Sequence, residues 1–124
     1  MKVLESAENY LEAILIMKHE KNQVRSIDIV NYLGFSKPSI SIAMKQLEQN
    51  GFITRDANGY ICLTEKGSEI AERIYERHVL LSTMFQMMGV SEKNAVSDAC
   101  KIEHHLSQET FDCIKKYFKK MKPQ

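Results

Sequence analysis

The stretch SIDIVNYLGFSKPSISIAMKQLEQNGFITRDANGYICLT, residues 26–64, contains the pattern that decides the fold. Apolar residues recur at helical spacing over 27–33, which predicts a short helix with Ser26 as its N-cap. Gly34 is a good stop for this helix, because glycine accepts the left-handed conformation at a helix C-terminus. A second helix is predicted over 36–50.

The start of the second helix and the segment after it complete this pattern. Ser36 is a suitable N-cap, and Pro38 costs little in a first turn, where a missing N–H group is tolerated. The runs 52–55 and 60–63 are rich in β-branched and aromatic residues, and Asn58-Gly59 between them favours a tight turn. Helix, short turn, helix and hairpin in this order predict a winged helix–turn–helix.

Further helices are predicted on both sides of this segment. The one before it covers about 3–19, with an apolar stripe on one face. After it, Thr64 caps a long helix to about Met88, Ser91 caps another through about Leu106, and 108–120 forms the last. The predicted fold class is mainly α: a winged helix–turn–helix module over 1–64, followed by an all-helical module over 65–124.

Composition limits the class of protein. The chain has 124 residues, of which 44% are hydrophobic, so one domain or two small modules can form a core. No apolar run approaches the ~20 residues of a membrane-spanning helix, and the N-terminal region lacks the features of a signal peptide. The three cysteines are an odd and sparse set, which favours a reducing cytoplasm over a disulfide framework. The expected location is therefore the cytoplasm, with no membrane partner.

The first module carries residues suited to DNA. A helix that enters the major groove needs groups near its start that donate to phosphates and base edges. We predict DNA contacts from Ser36, Lys37, Pro38, Ser39, Ser41 and Lys45, with Arg25 and Arg55 flanking the duplex. Charges within 25–56 nearly balance, so a monomer would bind weakly and a dimer would add phosphate contacts. The lysines between 115 and 122 are interpreted as a solvated end of the chain.

The second module carries a possible metal-binding group. Cys100, Glu103 and His104 lie at i, i+3 and i+4 of the predicted helix, so a thiol, a carboxylate and an imidazole share one face within a turn. Three such donors can converge on one ion. The alternative is that Cys100 is a small core residue while Glu103 and His104 lie on a solvated edge.

Donors elsewhere in the chain strengthen the metal interpretation. His78 lies on the apolar stripe of the long helix, where an imidazole needs either a hydrogen-bond partner or a metal. Asn9 and Glu12 place two oxygen donors at i and i+3 beside the apolar face of the first helix, although both could be ordinary solvated residues. His105 is interpreted as a surface histidine.

Taken together, these residues resemble the diphtheria toxin repressor family of iron- and manganese-dependent regulators. The stretches that carry the resemblance are Asn9–Glu12, Leu33–Ser39, Leu63–Gly67, Arg77-His78 and Asp98–His104, the last being the most specific. The resemblance covers essentially the whole chain. It implies a cytoplasmic homodimer that binds operator DNA of metal-uptake genes when a divalent metal occupies a site between its modules.

The resemblance also implies a ligand set. Carried over by position, the metal ligands are Glu12, His78, Cys100, Glu103 and His104. Asn9 departs from the family, whose manganese-type members have aspartate there and whose iron-type members have methionine, so its ligand role stays open. Cys100 is the iron-type residue, whereas the chain length is similar to that of the short manganese regulators. Ser82 and Val96 differ from an ancillary metal site of the family, so a complete second site is not expected.

The implied cofactor is Fe(II) or Mn(II), with Co(II), Ni(II) or Zn(II) as possible ions in vitro. Two other classes of protein remain open from the residues themselves. A metal-storage protein or metalloenzyme could use the same ligands, with His105 as a base. The sequence contains neither a nucleophile–base pair nor a phosphate-binding glycine loop that would predict an enzyme. A metal-independent winged-helix regulator would explain the first module alone.

Overall fold

The computed structural model describes residues 4–121, so Val3 and Lys122, from the predicted first helix and the lysine run, lie outside it. Its described residues form six helices and one two-stranded sheet, which confirms the mainly α fold with a hairpin. The elements are α1 (Glu5–Lys21), α2 (Ser26–Leu33), α3 (Lys37–Gln49), β1 (Ile53–Arg55), β2 (Ile61–Leu63), α4 (Glu65–Met87), α5 (Glu92–Ile102) and α6 (Gln108–Met121). Within this range, every helix is too short or too polar to cross a membrane.

These residues group into two compact units, whose boundary lies between Arg73 and Ile74 within α4. The module boundary after residue 64 stays a prediction. In the first unit, α1 packs against α2, α3 and β2. The core of this unit is formed by apolar side chains from every one of its elements, among them Leu11, Ile14, Ile29, Ile40, Met44, Ile53 and Ile61.

The hairpin forms as the Asn-Gly signal predicts. Strands β1 and β2 are antiparallel, with Thr54 opposite Cys62. The carboxylate of Asp56 accepts hydrogen bonds from the backbone N–H groups of Asn58 and Tyr60, at 2.8 and 3.0 Å. These bonds stabilise the turn with groups of the turn itself, so the hairpin is specified by its local sequence.

Helix-start chemistry sets the helix–turn–helix. Ser36 caps α3 as predicted, its Oγ accepting from the N–H of Ser39 at 3.3 Å. The predicted cap of α2 is wrong by one residue: Arg25 is the N-cap and Ser26 is already helical. The reason is Asp28, whose carboxylate accepts from the Arg25 N–H at 2.9 Å and so stabilises a start one residue earlier. This hydrogen bond also lowers the pKa of the Asp28 carboxyl below its ordinary value.

The start of α4 lies directly against the residue that precedes β1. Thr64 caps α4 as predicted, its Oγ1 accepting from the N–H of Gly67 at 3.1 Å, while its own N–H donates to the carbonyl of Phe52 at 3.0 Å. Gly67 therefore faces the Phe52 backbone. A Cβ at this position would overlap the Phe52 carbonyl oxygen and lie 2.9 Å from its carbonyl carbon.

The second unit contains the rest of α4 with α5 and α6. Ser91 caps α5 as predicted, its Oγ accepting from the N–H of Asn94 at 3.3 Å. Ser107 caps α6 in the same way, with a 3.0 Å bond from the N–H of Thr110. The buried apolar residues of this unit are Ile74, Leu81, Ala95, Ala99, Phe111 and Phe118.

The prediction that α5 extends through Leu106 is wrong, since the helix ends at Ile102. The reason is Arg77, which is 5% exposed on α4. Its Nη1 donates to the backbone carbonyls of Glu103 and Leu106 at 3.1 and 2.8 Å, and its Nη2 donates to the side chain of Gln108 at 3.1 Å. The guanidinium thus satisfies carbonyls that a longer helix would have bonded to its own N–H groups.

The contact at Gly67 predicts the effect of one added methyl group. Gly67→Ala should lower the free energy of unfolding by about 1–3 kcal/mol, because overlap with fixed backbone outweighs the better helix propensity of alanine. Denaturant unfolding measures the change. Glu69→Ala, at an exposed position two residues later, should stay within about 0.5 kcal/mol of the wild type. If both alanine variants were more stable than the wild type by the same amount, the close approach of Gly67 to the Phe52 backbone would be contradicted.

The bonds of Arg77 predict a difference between two arginines of the same helix. Arg77→Lys should lower the free energy of unfolding by about 1–3 kcal/mol and speed amide exchange in residues 103–107, because an ammonium cannot make the three bonds of the guanidinium fork. Arg73→Lys is the matched control, since its pairing with Glu8 lies near the surface, with Arg73 44% exposed, and such pairs contribute roughly 0–1 kcal/mol. Unchanged exchange after Arg77→Lys would show that Arg77 does not hold the turn.

Candidate metal centre and nucleic-acid interface

The turn held by Arg77 carries a buried carboxylate. Glu103 has helical backbone angles, and its N–H donates to the Ala99 carbonyl at 3.0 Å, so it continues the path of α5 by one residue. The exposed fraction of its side chain is zero. A buried carboxylate needs hydrogen-bond or cationic partners, because the loss of water is otherwise too costly.

Two imidazoles lie against this carboxylate. The Nδ1 atom of His78, on α4, is 2.9 Å from one carboxylate oxygen, and the Nε2 atom of His104 is 3.5 Å from the other. The side chain of His104 is almost fully buried, whereas that of His78 is 20% exposed. The second unit thus brings together three of the residues predicted as metal ligands, two nitrogen donors and one carboxylate.

The chemistry of these donors fits a divalent transition metal. The two imidazole nitrogens contact different oxygens of the Glu103 carboxylate, at 2.9 and 3.5 Å, so each oxygen of that carboxylate faces a nitrogen donor. Zinc binds both donor types, imidazole nitrogen and carboxylate oxygen, at about 2.0–2.2 Å. Imidazole and carboxylate together suit Fe(II), Mn(II), Co(II), Ni(II) and Zn(II).

The other predicted ligands lie elsewhere in their units. Cys100 is exposed on α5, one helical turn before Glu103. Glu12 and Asn9 lie on α1 in the first unit, where the Glu12 side chain is buried and Asn9 is half-buried. The ligand roles of these three residues, like those of His78, Glu103 and His104, stay predictions.

No role for Arg77 is predicted from the sequence, although this residue orients the turn that carries Glu103 and His104. A signal was present. Arg77 lies three residues after the core residue Ile74 and next to the half-buried His78, so its position is on the side of the helix that faces the core. Arginine is rarely buried without partners. An arginine at such a position predicts bonds to carbonyls or carboxylates inside the unit.

The exposed face of α3 is the candidate nucleic-acid interface of the first unit. Ile40, Ala43, Met44 and Leu47 are buried, whereas the predicted DNA-binding residues Lys37, Pro38, Ser39, Ser41 and Lys45 are all exposed. The Ser36 hydroxyl donates to the Oγ atom of Ser39 at 2.9 Å, so these two hydroxyls are already bonded to each other.

The two flanking arginines are held within the first unit. The guanidinium of Arg25 lies over the ring of Tyr60, 4.4 Å from its centroid. Arg55 donates from Nη2 and Nε to one carboxylate oxygen of Glu48, at 2.9 and 3.2 Å. The charge of Arg55 is thus partly neutralised by Glu48, and contact of either arginine with DNA stays a prediction.

Comparison with known proteins assigns the two halves of the chain. Residues 2–59 match the family described as "Iron dependent repressor, N-terminal DNA binding domain", and residues 64–123 match "Iron dependent repressor, metal binding and dimerisation domain". The chain is 35% identical over 109 residues to the HTH-type transcriptional regulator MntR of Geobacillus kaustophilus, covering 88% of this chain and 77% of that protein. Such relatives are named as transcriptional regulators, not as enzymes.

Solved structures share the fold. The metal-dependent transcriptional regulator MtsR superimposes with a TM-score of 0.82 at 21% identity, over 91% of this chain and 53% of that one. The manganese regulator SloR gives 0.79 at 21% identity, over 91% and 53%. The chain therefore spans about half the length of these structures. Both family matches and the relationship to MntR lead to one conclusion: this chain belongs to the iron-dependent repressor family.

Proposed function

We propose that the protein is a metal-activated transcriptional repressor of the cytoplasm, a homodimer that binds operator DNA of metal-uptake genes when a divalent ion is bound. The observation that carries the proposal is the buried Glu103 carboxylate between the imidazoles of His78 and His104, in the same chain as a helix–turn–helix. A donor group without a DNA-reading helix would suit storage, and the helix alone would suit a metal-independent regulator.

The proposed ligands are His78, Glu103 and His104, joined by Cys100, Glu12 and the side-chain oxygen of Asn9. The proposed physiological ion is Fe(II) or Mn(II), in keeping with the iron-dependent family and with relatives named as manganese regulators. Co(II), Ni(II) and Zn(II) are expected to bind in vitro, because the nitrogen and oxygen donors accept them too.

The bound ion supplies positive charge that holds ligands from both modules. Asn9 and Glu12 come from the DNA-binding module, whereas His78, Glu103 and His104 come from the other. Ligation by both would fix how the two recognition helices of a dimer are spaced, and an operator with two half-sites accepts only a matching spacing. Metal binding would therefore favour the DNA-binding arrangement.

A metal panel tests this function directly. Duplexes are enriched from a random-sequence library by the full chain with Mn(II), and binding to the enriched duplex is measured by gel shift under anaerobic conditions. The panel contains Fe(II), Mn(II), Co(II), Ni(II), Zn(II) and Mg(II), with a chelator as the metal-free control. We expect retardation only with transition metals. Equal retardation with the chelator would indicate a metal-independent regulator, and no retardation with any ion would indicate a storage protein or enzyme.

The role proposed for Glu12 predicts a loss of metal response. Glu12→Gln should raise the metal concentration needed for half-maximal DNA binding at least tenfold, because even the loss of an outer partner of a ligand costs 10–100-fold in affinity. Glu20→Gln, at an exposed position of the same helix, is the control and should respond like the wild type. Size-exclusion chromatography checks that both variants keep the oligomeric state. An unchanged metal response of Glu12→Gln would remove Glu12 from the ligand set.

The role proposed for Cys100 predicts a metal preference. A thiolate is a soft ligand and favours Fe(II) or Co(II) over Mn(II), which prefers oxygen. The wild type should therefore respond to Fe(II) or Co(II) at lower concentration than to Mn(II), and Cys100→Glu should narrow or reverse that gap in anaerobic titrations. Cys113→Glu makes the same substitution at an exposed cysteine of α6 and should leave the ranking unchanged. The same ranking in Cys100→Glu would show that Cys100 is not a ligand.

A further inference from the structure

An isoleucine stands at the centre of the exposed face of α3. Ile42 is 60% exposed, whereas Ile40, two residues earlier, is fully buried. At 3.6 residues per turn, the two side chains point about 200° apart around the helix axis. Ile42 therefore projects away from the core of the first unit, and the packing of that core does not account for an apolar residue at this position.

The surroundings of Ile42 are polar and positively charged. Ser39, Ser41, Lys45 and Gln46 are its neighbours on the helix surface, and all four are exposed. The N-terminus of α3 adds the positive end of the helix dipole. An apolar side chain with this border suits a ligand that is anionic and polar at its edges and presents an apolar group at its centre.

The major groove of DNA presents such a group. Phosphates line both edges of the groove, and thymine places a C5-methyl group on its floor, the one apolar group among the four base edges. Resting on the DNA-binding function proposed above, we propose that Ile42 reads thymine by packing against this methyl group. Its β-branched side chain has few rotamers, so little conformational entropy is lost when the contact forms.

With this contact, the residues on the exposed face of α3 have different roles in DNA binding. Lys37 and Lys45 supply charge to phosphates without distinguishing sequences, while hydroxyls at 39 and 41 accept or donate to several bases and therefore discriminate weakly. An apolar contact accepts a methyl group and disfavours the polar edge of cytosine, guanine or adenine. Ile42 thus supplies preference for a T·A pair in each half-site.

Deoxyuridine tests the contact, because it lacks only the methyl group of thymidine and keeps its hydrogen bonds. On the duplex enriched with Mn(II), each dT is replaced singly by dU, and Kd is measured for the wild type and for Ile42→Ala. At the contacted thymine, the wild type should bind the dU duplex about fourfold more weakly, the equivalent of ~0.8 kcal/mol for one buried apolar carbon. Ile42→Ala should bind the dT and dU duplexes at that position with equal affinity.

Two further variants separate the contact from general effects. Lys45→Ala should weaken binding to both duplexes by the same factor, since a phosphate contact does not depend on the methyl group, so its dT-to-dU ratio stays that of the wild type. Ile42→Val keeps a branched side chain and should keep part of the preference. Alanine is the best helix former, so Ile42→Ala should fold, as thermal unfolding will verify.

The outcomes distinguish this inference from the function on which it rests. Suppose that metal-dependent binding is observed, but Ile42→Ala still prefers dT over dU wherever the wild type does, or binds both duplexes more weakly by the same factor. Either result would overturn the thymine contact and leave the repressor function standing. Failure of the wild type to bind any duplex with any metal would overturn both. Loss of the dT preference in Ile42→Ala alone, with Lys45→Ala unchanged in ratio, supports the contact.

Discussion

The geometry of the donor cluster depends on one buried guanidinium. Arg77 donates to the carbonyls of Glu103 and Leu106, so the chain leaves the helical path of α5 directly after Glu103. The turn that results places the His104 imidazole on one oxygen of the Glu103 carboxylate, while His78 lies at the other. The cluster is therefore built by hydrogen bonds from the Arg77 side chain to backbone carbonyls, and Arg77 is not itself a predicted ligand. A carboxylate buried at such cost is held in one orientation, and a fixed orientation is what a metal ligand requires.

The first unit is organised differently, by short-range chemistry at the starts of its helices. Asp28, Ser36 and Thr64 each accept a backbone N–H from a residue three positions away, and together they set where α2, α3 and α4 begin. Gly67 then lets the start of α4 approach the backbone of Phe52. The consequence for DNA is specific: the Ser36 hydroxyl is engaged as a cap by the N–H of Ser39, and Pro38 has no N–H, so the start of α3 offers a phosphate mainly the charge of Lys37 and the positive end of the helix dipole.

This contrast explains what the sequence could predict. The starts of α3, α4 and α5 and the hairpin were predicted because their signals act over a few residues. The end of α5 was missed because it is set by Arg77, 26 residues away from Glu103. The pairing of Arg55 with Glu48 was missed because opposite charges seven residues apart carry no local signal. For the same reason, spacing on a helix gives candidate ligands within one element, but only the folded unit shows that His78 reaches Glu103.

The charge of the DNA-binding face favours control by metal. Arg55 is paired with Glu48, and within residues 4–73 that the structure describes, the lysines on the exposed face of α3 are Lys37 and Lys45. Each phosphate contact contributes about 0.9 to the salt slope, so few contacts mean weak non-specific affinity. A regulator held firmly by any DNA would stay bound whatever the metal concentration. In the proposed homodimer with weak charge contacts, occupancy would depend instead on base contacts and on two copies engaging adjacent half-sites, and both would depend on how the recognition helices are spaced. In the proposed repressor, sparse charge on this face would thus make DNA binding responsive to the ion.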